Sequence, residues 1–385
     1  MASEEPERFD VAVVGAGIAG ASAAAELAAS VRVILIERES QPGYHTTGRS
    51  AALFSQIYGP PVIRALSRAS AALLYEPPAG FAADPILSPR DVLTIGRDDQ
   101  RARLDAEFAE LAARSTVRRV TRDDALALVP LLRPESAAAA FLEEGSADID
   151  VHALHHGFLR RLRALGGRIE TGCELTSLAR DGGGWLLATR KGRFRADIVV
   201  NAAGAWADEL GALAGAARIG LTPKRRTAMV VPAPDGIDAG GWPAVVDVDE
   251  DFYLKPDAGR LLISPADETP SPPCDAQPDE LDVAICIDRI ETAFDLKVGR
   301  IENKWAGLRS FVADKCPVVG FDPLAENFFW LAGQGGYGIQ TSPAMARTAA
   351  ALALGRGLPA DIQDQGVEAA ALSPARLAER EKTGT

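Results

Sequence analysis

Three glycines spaced as Gly15-x-Gly17-x-x-Gly20 stand between an apolar run, Phe9 to Val14, and a small-residue segment, Ala21 to Ala29. The chemistry open to this spacing is the holding of a pyrophosphate. Gly15 permits a tight turn, and Gly17 removes a side chain where backbone N–H groups approach phosphates. Gly20 lets a helix pack close to a strand. Ala16, Ile18 and Ala19 complete the loop, and the helix behind it turns the positive end of its dipole to the anion. Glu37 ends the next apolar run, Val31 to Ile36, where its carboxylate can accept hydrogen bonds from ribose hydroxyls.

Two more strand ends carry glycine. Ala196 to Ala203 is apolar and stops at Gly204, in Asn201-Ala-Ala-Gly204. Asn327 to Ala332 runs into Gly333-Gln-Gly-Gly-Tyr-Gly338 and then a helix-like segment, Ile339 to Leu354. The last of these offers a second set of backbone N–H groups and a second helix dipole. A ligand as long as FAD uses two such helices, one at its pyrophosphate and one near the flavin O2, where charge collects on reduction. FAD is therefore favoured over NAD.

Apolar strands alternating with helices are the mark of a parallel sheet covered on both faces, so residues 9–37 form one βαβ unit of a Rossmann-like domain. Different material lies between its pieces. Residues 99–115 and Thr121 to Ala127 read as helices, with Asp123 or Asp124 suited to a first turn. Residues 216–266 carry short strand-like runs with turns at Pro234-Asp-Gly236 and Pro256-Asp-Ala-Gly259. Asp279 to Phe294 reads as a helix. The fold class is α/β, mixed α+β, with a second domain whose sheet is mixed and largely antiparallel, inserted twice. Residues 1–90, 145–215 and 310–385 are assigned to the cofactor domain, and 91–144 and 216–309 to the substrate domain. The tail from Ser373 is polar, and its end is expected to be poorly ordered.

Charge and composition exclude other classes. A net charge of −12 argues against a nucleic-acid surface. The cysteines Cys173, Cys274, Cys286 and Cys316 form no CxxC pair, and the histidine run His152–His156 reads as ordinary helix, so no metal site is expected. No apolar stretch is long enough for a transmembrane segment. The acidic start lacks the features of a signal peptide, so a cytoplasmic protein is expected.

Five segments together resemble the D-amino-acid oxidase (DAO) superfamily of flavoproteins. They are Val11–Gly20, His45-Thr-Thr-Gly-Arg-Ser-Ala-Ala52, Asn201-Ala-Ala-Gly-Ala-Trp206, Trp305-Ala-Gly-Leu-Arg309 and Gly335-Gly-Tyr-Gly-Ile-Gln-Thr341. The spacing is most similar to the D-arginine dehydrogenase branch. The resemblance implies FAD-dependent oxidative deamination of a D-amino acid to a 2-oxo acid and ammonia, with hydride passing from the α-carbon to flavin N5. The alternative is a secondary amino acid such as sarcosine or proline. By the same resemblance Arg309 clamps the substrate carboxylate through its bidentate fork. Tyr253 bonds the same carboxylate, Arg226 is a second basic residue, Tyr58 belongs to a lid, and Gln340 and Gly336 lie beside the flavin and the substrate amine. The cofactor is assigned His45, Thr46, Gly48, Arg49, Ser50 and Ala51, together with Arg38, Glu174, Ala203, Trp206 and Gly307. Gly335, Tyr337, Gly338, Ile339 and Thr341 complete the set.

Departures from that pattern bear on substrate and acceptor. The D-arginine branch places a carboxylate after Ser88-Pro-Arg, where this chain has Val92, and a histidine where it has Leu53. Asp91 should face the other side of its strand. With Leu53, Val92 and Met229 as pocket wall, neutral or apolar side chains are favoured over D-arginine, because a buried guanidinium without a partner is costly. Sarcosine-oxidase relatives carry an oxygen-activating lysine where this chain has Leu262, so a quinone or electron carrier is favoured over O2 as acceptor. Gly307 stands where those relatives place a tethering cysteine, so the flavin should be non-covalent.

Overall fold

The computed structural model describes residues 5–113 and 115–377. The last residues of the tail, 378–385, lie outside the described residues, while Arg376 ties the end before them to Asp314 at 2.9 Å. Two eight-stranded sheets and one three-stranded sheet carry the fold.

The first sheet is built as the apolar runs require. Strand Glu7–Val14 pairs in parallel with Val33–Ile36 on one side and Gly192–Asn201 on the other. Val33–Ile36 continues in parallel to Arg168–Glu170, and Gly192–Asn201 to Phe328–Ala332. Helices Ile18–Leu27, Val151–Ala164 and Gly338–Ala353 pack over one face with Pro61–Tyr75, burying Leu27, Phe158 and Met345 in one core. Small residues make this packing close: eight of the ten residues of Ile18–Leu27 are buried. The antiparallel strands Gly184–Thr189 and Leu175–Asp181 extend the same sheet beyond Gly192–Asn201, and helix Ala207–Ala214 joins them in a second core that buries Trp330, Phe328 and Leu187.

The second sheet runs in the order Asn303–Phe311, Thr222–Pro232, Arg260–Ser264, Tyr253–Asp257, Ala244–Asp247, Val92–Gly96, Ala139–Glu143, Val117–Val120. Its pairs are antiparallel except Ala244–Asp247 with Val92–Gly96. One face packs on helix Glu280–Ala293, capped by the Asp279 carboxylate, through Val283, Cys286 and Ile290. Met229, Leu254, Leu261 and Ile263 point into that core. Strand alternation then sends Arg226, Ala228, Tyr253 and Leu262 to the opposite face, which looks toward the first sheet.

The three-stranded sheet, Leu53–Phe54 with Ala147–Ile149 and Leu87–Pro89, is too short for its periodicity to announce it. Among the described residues no helix is long and apolar enough to cross a membrane, and no cluster of His, Cys, Asp and Glu could hold a metal ion.

Candidate active site

The dinucleotide end is a cavity of about 360 Å³ between the first sheet and the segment after Glu37. Gly15 and Gly17 line it, with Glu37, Arg38, His45, Thr46, Glu174, Ala203, Gly204 and Trp206. Gly15 has φ +103°, and a Cβ there would lie 2.4 Å from the Ala202 carbonyl oxygen. A Cβ on Gly20 would meet the Gly15 carbonyl oxygen at 1.8 Å. These two glycines are therefore required by backbone contacts, as the motif implies.

The loop is held from below. The Ala16 N–H donates to Glu37 Oε2 at 2.7 Å, and the Glu39 N–H donates to Glu37 Oε1 at 2.9 Å. Each carboxylate oxygen keeps a lone pair for a ligand in the cavity. His155 Nε2 lies 2.9 Å from the Ala16 carbonyl oxygen. Burial lowers the His155 pKa to about 4, so the ring is neutral near pH 7 and donates from Nε2. The sequence offers no local signal for this contact, which spans 139 residues. Thr47 was likewise not singled out. Its Oγ1 accepts from the Ile18 N–H at 2.9 Å at the start of the helix.

Residues 44–51 thread from this cavity into a second, smaller one. Tyr44 and His45 line the first, Thr46 and Thr47 line both, and Arg49, Ser50 and Ala51 line the second. The His45 ring lies 4.8 Å from Trp206, whose other neighbour is the Arg38 guanidinium at 4.7 Å. Gly48 lines neither cavity. Its N–H closes a turn on the Gly43 carbonyl at 2.8 Å, which leaves no room for a Cβ.

The second cavity, about 70 Å³, is roofed by the second sheet through Arg226, Ala228, Tyr253, Gly307 and Arg309. Its floor is Ile18 with Gly335, Gly336, Gly338 and Ile339. Three guanidiniums line it and no carboxylate does. Arg49 is neutralised by Asp275 and donates to the Ala276 and Ala306 carbonyls. Arg226 donates to the Asp267 carbonyl at 2.9 Å and reaches Glu268 only at 3.5 Å. Burial, and then repulsion from Arg309, hold the Arg226 pKa below its ordinary value. Arg309 forms no ion pair among the described residues. Its Nη1 donates to the Tyr58 hydroxyl at 3.4 Å. Gly336 lies under this fork, and a Cβ there would come within 2.9 Å of Nη1.

Several expected site residues take other positions. The Gln340 side chain faces away from the cavity: its Oε1 accepts from the Ser55 N–H at 3.1 Å and its Nε2 donates to Ser67 Oγ at 2.8 Å. Helical geometry decides this, since Gly338 and Ile339 take the cavity side of the first turn. Thr341 is fully buried and donates to the Tyr337 carbonyl within its own helix. Tyr337 is buried beneath Tyr58, with ring centroids 5.0 Å apart.

The apolar pocket wall also needs correction. Met229 lies in the core on the other face of its strand, and Ala228 lines the cavity in its place. Leu53 and Val92 do not line the cavity. Leu53 pairs with Asp148, and Val92 with the buried Glu143. Asp148 accepts from Lys255 Nζ at 2.6 Å and from Arg90 Nε at 2.9 Å. The carboxylates beside Leu53 and Val92 are thus already satisfied, Asp148 by Lys255 and Arg90 and Glu143 by Ser55 and the Gln56 N–H. Asp91 turns to the Gly145 N–H at 3.1 Å. Sequence reading missed this network because its members come from five separate strands and turns.

A parallel nucleotide-binding sheet with one cavity at its strand ends, and a second, smaller cavity between it and a largely antiparallel sheet, is the arrangement of a flavoprotein oxidoreductase. Residues 10–352 match the model of the DAO family, FAD dependent oxidoreductase, and the chain belongs to that family. Glycine oxidase of Geobacillus kaustophilus is 26% identical over 352 residues, which cover 87% of this chain and 90% of that protein. Its crystal structure superposes with a TM-score of 0.81 at 25% identity, covering 91% and 96% of the two chains. Human mitochondrial dimethylglycine dehydrogenase is 27% identical over 232 residues, 55% of this chain and 27% of that protein. The fold of L-proline dehydrogenase from P. horikoshii matches with a TM-score of 0.80 at 22% identity, covering 97% of this chain and 99% of that one.

The protein is an FAD-dependent oxidoreductase, and its residues fit the cofactor. Gly17 leaves the helix start open, a Cβ on Gly204 would meet nothing within 4 Å, and at the wall of the larger cavity the buried His45 Nδ1 has no protein partner. Gly307 lies beside Arg49, and by the resemblance it stands where sarcosine-oxidase relatives place a tethering cysteine. We therefore expect acid or heat denaturation to release all of the flavin into the supernatant. Yellow colour that stays with the precipitated chain would contradict this.

Proposed function

We propose that this enzyme oxidises the α-carbon–nitrogen bond of a small amino acid, D-amino acids with neutral side chains foremost. The observation that carries the reading is Arg309, a guanidinium in the cavity with no ion pair, flanked by Tyr58 and lying over Gly336. A substrate carboxylate satisfies its fork and offsets its repulsion of Arg226. Tyr253, on the same sheet face, is the second donor to that carboxylate. When bound, FAD would supply the two-electron oxidation of the α-carbon–nitrogen bond. The imino acid that leaves is hydrolysed by water to a 2-oxo acid and ammonia. Among the described residues no carboxylate or histidine lines the inner cavity, so the amine enters neutral or gives its proton to water before it reacts.

The absence of a lining carboxylate also supports discrimination against cationic side chains. A D-arginine or D-lysine side chain would lose its hydration there without gaining a partner. The likeness to the D-arginine dehydrogenase branch supports D-configured substrates, and Leu262 at the oxygen-activating position supports a quinone or electron carrier as oxidant. A second reading is a glycine or secondary amino acid such as sarcosine or proline. The small volume of the inner cavity favours it, as do the names of the glycine oxidase and dimethylglycine dehydrogenase relatives.

One anaerobic experiment tests these points. Holoenzyme is mixed with D- and L-amino acids, glycine, sarcosine and proline while flavin absorbance is followed. Neutral D-amino acids should bleach the flavin with kcat/KM roughly tenfold or more above D-arginine. Admission of a quinone dye should restore the colour faster than air does. Bleaching by sarcosine or proline alone selects the second reading, and no bleaching by any of them removes both.

A further inference from the structure

We propose that Glu143 is a positioning residue that fixes the segment carrying Tyr58 above Arg309. Glu143 ends the Ala139–Glu143 strand of the second sheet and is 4% exposed. Burial pushes its carboxyl above the ordinary range, against the pull of the hydrogen bonds made to it. A buried carboxylate costs folding free energy unless its oxygens are satisfied, so its partners show what it does.

Ser146 flanks the carboxyl from the turn after its strand, and the other partners lie in one segment, 55–58, whose Tyr58 meets Arg309. Ser55 Oγ donates to Glu143 Oε2 at 2.7 Å, and the Gln56 N–H donates to Oε1 at 3.1 Å. Ser55 Oγ in turn accepts from the Tyr58 N–H at 3.2 Å. The chain Glu143–Ser55–Tyr58 thus runs from the sheet to the backbone of the tyrosine whose hydroxyl meets Arg309 at 3.4 Å. Two further contacts hold the same segment. Gln340 Oε1 takes the Ser55 N–H, and Ile57 packs against the cluster of Phe141, Leu104 and Val248. Segment 55–58 has no regular secondary structure of its own, so these side chains replace the backbone ladder that would otherwise fix it.

Glu143 therefore acts through Ser55 and Tyr58 rather than on the reacting atoms. It sits directly across from Val92, one strand away from the position where the D-arginine branch places a carboxylate. Its oxygens are taken by segment 55–58, so it is an anchor for that segment and not a receptor for a cationic side chain. The consequence for turnover rests on the function proposed above; the anchoring itself does not.

The test uses holoenzyme carrying Glu143→Gln, with Ser55→Ala as a smaller change that removes the same link should the first variant not fold. Glu143→Gln turns one acceptor oxygen into an N–H donor facing the Ser55 hydroxyl. Hydrogen exchange of the Gln56 and Tyr58 amides should accelerate about tenfold or more, while core amides of the Glu7–Val14 strand stay protected. KM for the best amino acid should rise roughly tenfold with kcat little changed and flavin still bound. In a Tyr58→Phe background the same substitution should add little to KM, because the hydroxyl it positions is already gone. Unchanged exchange at Gln56 and Tyr58 overturns the proposal. So does a KM effect that multiplies fully with Tyr58→Phe, or a uniform loss of protection across the fold. If no amino acid is turned over, exchange alone decides, and the functional reading falls without the anchor.

Discussion

Arg309→Ala should raise KM for amino acids strongly while leaving FAD bound. Among the described residues Arg309 is the lining guanidinium with no ion pair, and the carboxylate it awaits would gain two charge-assisted hydrogen bonds. Truncating one partner of a buried charged pair costs about 2–5 kcal/mol, or roughly 30- to 4,000-fold in kcat/KM. Arg309→Lys should recover only part of this, since an ammonium cannot present a planar fork. The flavin should remain because the residues lining the larger cavity are untouched. Steady-state kinetics with flavin content measured on the same preparations decides the matter. Unaltered KM in both variants would show that the carboxylate is held elsewhere, with Arg226 the next residue to replace.

Gly15→Ala should yield protein without cofactor, or no folded protein. The position has φ +103°, where an L side chain is strained, and the added Cβ would stand 2.4 Å from the Ala202 carbonyl oxygen and 2.8 Å from its carbon. Strained backbone alone costs about 1–3 kcal/mol. Here the obstacle is also rigid, because Ala202 follows the Gly192–Asn201 strand that pairs with Glu7–Val14. Relief of the clash must separate the two strands at the point where the loop begins. Gly182→Ala is the control: φ is +60° in the turn between Asp181 and Gly184, and a Cβ there meets nothing within 4 Å. That variant should keep its flavin and lose little in Tm. Equal flavin content in the two would remove the argument from backbone contact.

Recognition of the cofactor depended on residues close together in sequence. Between Phe9 and Glu37 the apolar runs, the glycine spacing and the terminal acid are each local. The glycines act through backbone conformation and Glu37 bonds the Ala16 N–H within the same βαβ unit, so that unit and its dinucleotide loop could be read directly. Arg309, Tyr253 and Arg226 were reached through resemblance, and the structure brings all three to one cavity. Propensity could not supply the pairing of distant strands.

Which face a residue presents follows from register, and register is set by partners far along the chain. Met229 and Ala228 are adjacent and both apolar. Pairing of their strand with Arg260–Ser264 and Asn303–Phe311 sends one to the core and the other to the cavity. The same holds for Gln340, whose amide is claimed by Ser55, 285 residues away. It holds for His155 under the Ala16 carbonyl and for Glu143 under the Tyr58 segment. The sequence by itself determined the dinucleotide loop and, from two further glycine-bearing strand ends, the cofactor class, because each of those turns is specified by its own local residues. Only the tertiary structure decided which polar side chains face the reacting cavity and which are consumed in holding it, because a buried polar group must find its partner wherever the packed sheets place one.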